Sequence, residues 1–173
     1  ENLVVNANGG DDSFSATGNL AALIKITVDG GTGNDTLLGS NGVDTILGGD
    51  GTDVVDGQQG NDVALLGSGD DTFQWDPGDG SDVVEGQAGS DKLVFNGANI
   101  SENIDISANG GRVRLFRNVA AITMDTNDVE TFAVNVSGVP CTSPEPTTVT
   151  CRVSELAAGM IEGPDDDFAS QPD

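Results

Sequence analysis

Between Gly30 and Val94 one apolar residue returns every nine positions, a spacing that fits neither an amphipathic helix nor an alternating strand. Leu37, Ile46, Val55, Ala64, Phe73, Val84 and Leu93 mark the column, with a two-residue step where Trp75 and Asp76 interrupt it. Each lies in a short β-prone segment, T-L-L, T-I-L or V-V-D in the first units. Each segment has about three residues and follows about six turn residues. One inward side chain cannot be buried within its own unit, so the units must stack as a solenoid. Two strands and two turns close one coil, and units on the same side then recur every eighteen residues.

The flanks follow other patterns. Residues 1–29 hold L-V-V at 3–5 and L-A-A-L-I-K-I-T-V at 20–28, the latter read as a strand packed on the end of the solenoid, with a helix-like start. Gly10-Asp11-Asp12-Ser13-Phe14 looks like a degenerate unit in which Asp12 is either a weaker ligand or only a turn residue, with the turn favoured. Beyond Val94, Ile104/Ile106, an Asn-Gly-Gly turn and Val113/Leu115 predict a β-hairpin. I-T-M-D-T-N-D-V-E-T-F-A-V-N-V supplies further strands. The expected organisation is an N-terminal β segment capping the roll (1–29), the repeats (30–94), a hairpin and strand cap (95–137), and a Pro-rich hairpin with an acidic tail (138–173). Cys141 and Cys151 are spaced for a disulfide across that last hairpin.

Two more columns run in phase with the apolar one. Position four of every unit is glycine: Gly33, Gly42, Gly51, Gly60, Gly69, Gly80 and Gly89. Position six is always aspartate: Asp35, Asp53, Asp71 and Asp91 on one edge, Asp44, Asp62 and Asp82 on the other. A single Gly-x-Asp is a common polar turn, but seven in phase demand a shared cause. The chain carries 29 acidic and 6 basic residues, a net charge of −23. Carboxylates stacked at ~4.8 Å repel by about 1 kcal/mol per pair in water, and more when shielded. A cation between coils reverses that sign. The absence of histidine favours oxygen ligands and hence a hard cation. Ca²⁺ accepts about 6–8 of them in irregular geometry, whereas Mg²⁺ demands a tight octahedron.

The units resemble the G-G-x-G-x-D-x-U-x nonapeptide of the RTX (repeats-in-toxin) family, most fully in G-G-T-G-N-D-T-L-L at 30–38 and G-G-D-G-T-D-V-V-D at 48–56. The resemblance implies an all-β fold, a parallel β-roll with flanking β-strand caps and Ca²⁺ held between successive turns. It implies as ligands the seven aspartates and main-chain carbonyls of the turns, at Gly31, Gly33, Gly42, Gly49, Gly51, Gly60, Gly69, Gly80 and Gly89. Side chains at position three, Asn41, Asp50 and Asp79, would assist. Ser40, Gln58, Leu66, Pro77 and Gln87 depart from glycine at positions one and two, and the Trp75–Asp76 insertion disturbs one coil. The stacking implies roughly 4–6 Ca²⁺ in all. Asp53, shared by two gaps, should matter more to binding than Asp91 at the end of its column.

These features favour a noncatalytic calcium-binding module of a secreted or cell-surface protein, bacterial in type, whose folding is coupled to the ion. A Ca²⁺-dependent filament, surface-layer or adhesin subunit is the alternative, with homo-assembly through solenoid ends or edge strands. An accessory module of a secreted enzyme ranks below both, because the aspartates repeat identically and neither histidine nor a Gly-x-Ser-x-Gly elbow is present. The charge disfavours nucleic acid as a partner, and no apolar run suits membrane insertion. Glu1 in place of Met, without a signal-peptide pattern, fits a processed chain or fragment. Arg112, Arg114 and Arg117 read either as an anion or polysaccharide site or as partners of acidic neighbours.

Overall fold

A computed structural model describes residues 1–137 and the strand Val149–Ser154. The Cys141–Cys151 pairing and the acidic tail lie outside the described residues. The fold is all-β, and its two sheets face each other across one core. The first sheet runs β1 (Asn2–Asn6), β3 (Lys25–Thr32), β5 (Thr45–Asp50), β7 (Val63–Ser68), β9 (Val83–Ala88), β13 (Ile122–Asn127), β12 (Arg112–Arg117) and β11 (Ile104–Asn109). The second runs β15 (Val149–Ser154), β14 (Thr131–Ser137), β10 (Lys92–Asn99), β8 (Thr72–Trp75), β6 (Val54–Asp56), β4 (Thr36–Leu38) and β2 (Ser13–Ser15).

From β1 to β10 the chain alternates between the sheets and every lateral pair is parallel, which makes a stack of coils: a β-solenoid. Register follows the period. Leu37 lies beside Val55, Phe73 and Leu93 in turn, and Val28 beside Ile46, Ala64 and Val84. All seven position-eight side chains are buried in this core. The offset between coils grows from eighteen residues to twenty at the Trp75–Asp76 step, where Trp75 extends β8 inward and stacks on Phe95 with centroids 4.1 Å apart.

Residues 2–15, expected as part of a capping segment, form a further coil: β1 and β2 pair in parallel with β3 and β4. The strand at 20–28 begins only at Lys25 and lies inside the sheet, because β1 covers its outer edge. At the other end β11 and β12 form the predicted antiparallel hairpin, β13 continues it, and β13 and β14 join β9 and β10 in parallel. The cap is pinned by Arg117, buried with Glu102 and lying 5.3 Å from the centre of the Trp75 ring. Arg112 meets Glu85 and Asp125 at 2.7 and 2.8 Å, and Arg114 meets Asp105 at 3.3 Å. The arginines are thus partners of acidic neighbours.

Candidate metal centres

The turns at both edges of the stack are set by local backbone preference. At the second and fourth positions Gly31 and Gly33 take φ of 96° and 127°, a region open to glycine and strained for other residues. Gln58 and Gln87 nevertheless keep it at position two, with φ of 63° and 74°. Stacking adds a steric demand, for a methyl group on Gly51 would strike Gly33 O. The same contact shows where that carbonyl points: toward the next coil. The carbonyls of Gly31, Gly42, Gly49, Gly51, Gly60 and Gly69 face the following coil in the same way. Gly48 O points backward, toward Gly30. Each gap is therefore lined with carbonyl oxygens from both sides.

Into these gaps project the seven position-six aspartates, each 2% exposed or less. One oxygen of each carboxylate caps a main-chain N–H. Asp53, Asp71 and Asp91 accept from Asp35, Asp53 and Asp71 at 2.8, 2.8 and 2.9 Å. On the other edge Asp62 accepts from Asp44 at 2.8 Å and Asp82 from Asp62 at 2.9 Å, so the ladder survives the insertion. The second oxygen of every one of the seven is buried with no hydrogen-bond partner. Beside Gly30, Asp35 Oδ2 converges with Gly48 O, and beside Gly48, Asp53 Oδ2 converges with Leu66 O.

Unpartnered buried carboxylates resist ionisation. Burial pushes Asp62 up to about 8, Asp82 to about 7 and Asp91 to about 6, opposed by the capping N–H groups and reinforced by nearby carboxylates. Asp53 and Asp71 are raised for the same reason. Keeping such groups charged near neutral pH requires a positive partner. Among the described residues no three His, Cys, Asp or Glu side chains cluster as a ready metal site, and a cation in a gap would draw its further ligands from carbonyls or water. A donor set of carboxylate and carbonyl oxygens fits Ca²⁺.

Four other expected ligands each accept a hydrogen bond within the protein. Asn41 Oδ1 accepts from Leu20 and Ala21 N–H at 2.8 and 3.0 Å. Asp50, exposed, accepts from Ser68 Oγ at 2.6 Å. Asp79 Oδ2 accepts from Asp76 N–H at 2.5 Å, and burial pushes its carboxyl up to about 6. Gly80 O accepts the Trp75 indole N–H at 2.8 Å.

Sequence reasoning missed three features. Asp12 belongs to the first column: its N–H donates to Asp35 Oδ1 at 2.7 Å and its own Oδ2 is buried and unpartnered. Asn8 O and Gly10 O face Gly31 and Gly33, so residues 7–15 make a full unit. The second is an outer ladder at position five. Asp11, Asn34, Asn61 and Asp70 cap the N–H groups of Asn34, Thr52, Ser81 and Ser90 at 2.8–2.9 Å; polar residues at that position in every repeat but the one with Val43 were its signal. The third is Glu130, which accepts the Asp91 N–H at 2.7 Å from outside the repeats.

The family described as RTX calcium-binding nonapeptide repeat (4 copies) matches residues 29–64, 38–73 and 78–99. Residues 29–99 are RTX repeats. RTX repeats bind Ca²⁺, and the buried aspartates stack along the coils of this RTX segment. No curated protein matches the chain. Among solved structures, the solution structure of the AlgE6R3 subunit from the Azotobacter vinelandii mannuronan C5-epimerase is 20% identical and covers 94% of this chain and 91% of its own. Its TM-score is 0.32, too low for any property to be carried across.

Proposed function

We propose that the chain is a noncatalytic calcium-binding β-roll of a secreted or cell-surface protein, with folding coupled to ions held between coils. The observation that carries this reading is the two columns of aspartates, each with one buried oxygen lacking a partner. The gaps 12/35, 35/53, 53/71, 71/91, 44/62 and 62/82 would hold the ions, each between two carboxylates and the carbonyls of facing turns. A bound dication supplies positive charge that screens the carboxylates from one another and lets both coils share ligands. The chain contributes the rest: the N–H ladder aims the carboxylates, the left-handed turns aim the carbonyls, and the core columns hold the coils in register.

The test is circular dichroism and calorimetry of chelated protein during a Ca²⁺ titration. Gain of β signal with uptake of several ions supports the proposal. Complete β structure in chelator, unchanged on adding metal, overturns it. A second reading, assembly through the solenoid end, draws on β1 and β2, whose outer edges are unpaired among the described residues, and on exposed Leu3 and Val4. A sizing experiment with and without Ca²⁺ separates a monomeric module from an assembly.

A further inference from the structure

We infer that the junction between the roll and its C-terminal cap is an additional cation site, closed by Glu130 and the Asp128 carbonyl rather than by a repeat. The inference rests on the calcium-binding reading above and extends it beyond the RTX segment. Its first support is the ladder. Asp91 N–H donates to Glu130 Oε2 at 2.7 Å, the bond that Asp35, Asp53 and Asp71 each make to the next aspartate. Asp91 is therefore not the end of its column, contrary to the expectation from the repeats.

The second support is convergence. Beside Gly30 the own-coil carboxylate oxygen Asp35 Oδ2 meets the backward-pointing Gly48 O, and beside Gly86 the pair is Asp91 Oδ2 and Asp128 O. Asp128 thus takes the place of Gly48, and Glu130 that of Asp53. The turn between them is three residues shorter than a repeat turn, and the longer glutamate side chain spans the difference. Asp91 is 1% exposed and its Oδ2 has no partner, so an acceptor aimed into this gap is left unanswered by the protein.

The third support is the near side of the gap. Gln87 and Gly89 hold φ of 74° and 141°, matching Gly49 and Gly51 at 115° and 141°. The turn that precedes the cap therefore keeps the left-handed backbone of the repeat turns. The gap offers two carboxylates and the Asp128 carbonyl, oxygen donors suited to a hard cation of Ca²⁺ type. Since Asp128 and Glu130 join β13 to β14, an ion here ties the cap to the last coil of the roll.

The experiment counts Ca²⁺ bound to the full chain by native mass spectrometry and calorimetry, comparing the unmodified protein with Glu130→Gln. The glutamine can still accept the Asp91 N–H but carries no charge. The expected result is loss of one Ca²⁺ equivalent, with the others retained. Thermal melts in chelator guard against a folding defect: Glu130→Gln should melt at or above the unmodified protein there and below it in Ca²⁺. An unchanged ion count, or a melt lowered equally in both conditions, overturns the inference. Absence of any Ca²⁺ binding by the unmodified chain would instead overturn the β-roll reading itself.

Discussion

Asp53 sits in the middle of the longer column, and Asp53→Asn isolates what its charge does. The amide oxygen can keep the Asp35 N–H bond now made at 2.8 Å, so the ladder stays closed. What changes is the charge of a carboxylate whose Oδ2 is buried and unpartnered and which borders both the 35/53 and 53/71 gaps by its place in the column. A ligand present at 100 times its Kd stabilises the folded state by about 2.7 kcal/mol per site. Loss of two sites then removes about 5 kcal/mol, and Asp12→Asn, which borders the 12/35 gap alone, about half as much. In chelator the sign reverses, because burial already disfavours the charged form of Asp53, and the neutral amide should melt no lower than the carboxylate. Melts followed by circular dichroism at fixed free Ca²⁺ and in chelator make the comparison. If Asp53→Asn lowered stability equally in both, the side chain would be a hydrogen-bonding strut and the two-gap argument would fail.

Two further outcomes follow from the same geometry. In chelator the fold should grow more stable as pH falls from about 8 toward 4. Asp62 and Asp82, held at about 8 and 7, bind protons in the folded state that the unfolded chain releases until near 3.8; Ca²⁺ affinity should fall over the same window, and urea titrations at pH 5 and 8 with and without Ca²⁺ would show opposite slopes. Arg117→Met should leave the buried Glu102 without its partner and destabilise the cap by about 3–5 kcal/mol, largely recovered by adding Glu102→Gln; Trp75 fluorescence reports it, since Arg117 lies over that ring.

Much of the site was legible from the repeat because a nonapeptide is a local rule. Its glycines set the turn, its aspartate follows at a constant offset, and its apolar residue points inward, so the partners of Asp35, Asp44 or Asp62 are found by counting. Counting fails where coil length changes. Asn8 stands where the repeat has glycine yet adopts φ of 75° and keeps the turn, so Asp12, which the sequence favours as a turn residue over a weaker ligand, joins the column. Asn41, Asp50 and Asp79 stand at ligand positions by the repeat, and in the folded chain one oxygen of each accepts an N–H or O–H.

The sequence by itself determined the period, the two core columns and the two carboxylate columns, because strand stacking at a constant rise turns repetition along the chain into alignment in space. Only the tertiary structure decided what closes the columns. Asp91 meets Glu130 across 39 residues because a hairpin and a third strand lie between them, and no period marks that distance. Trp75 takes the Gly80 carbonyl because a two-residue insertion turns an indole inward against Phe95. Both contacts depend on how non-repeating segments pack onto the last coil, a balance of burial and hydrogen bonding that appears only when the chain is folded.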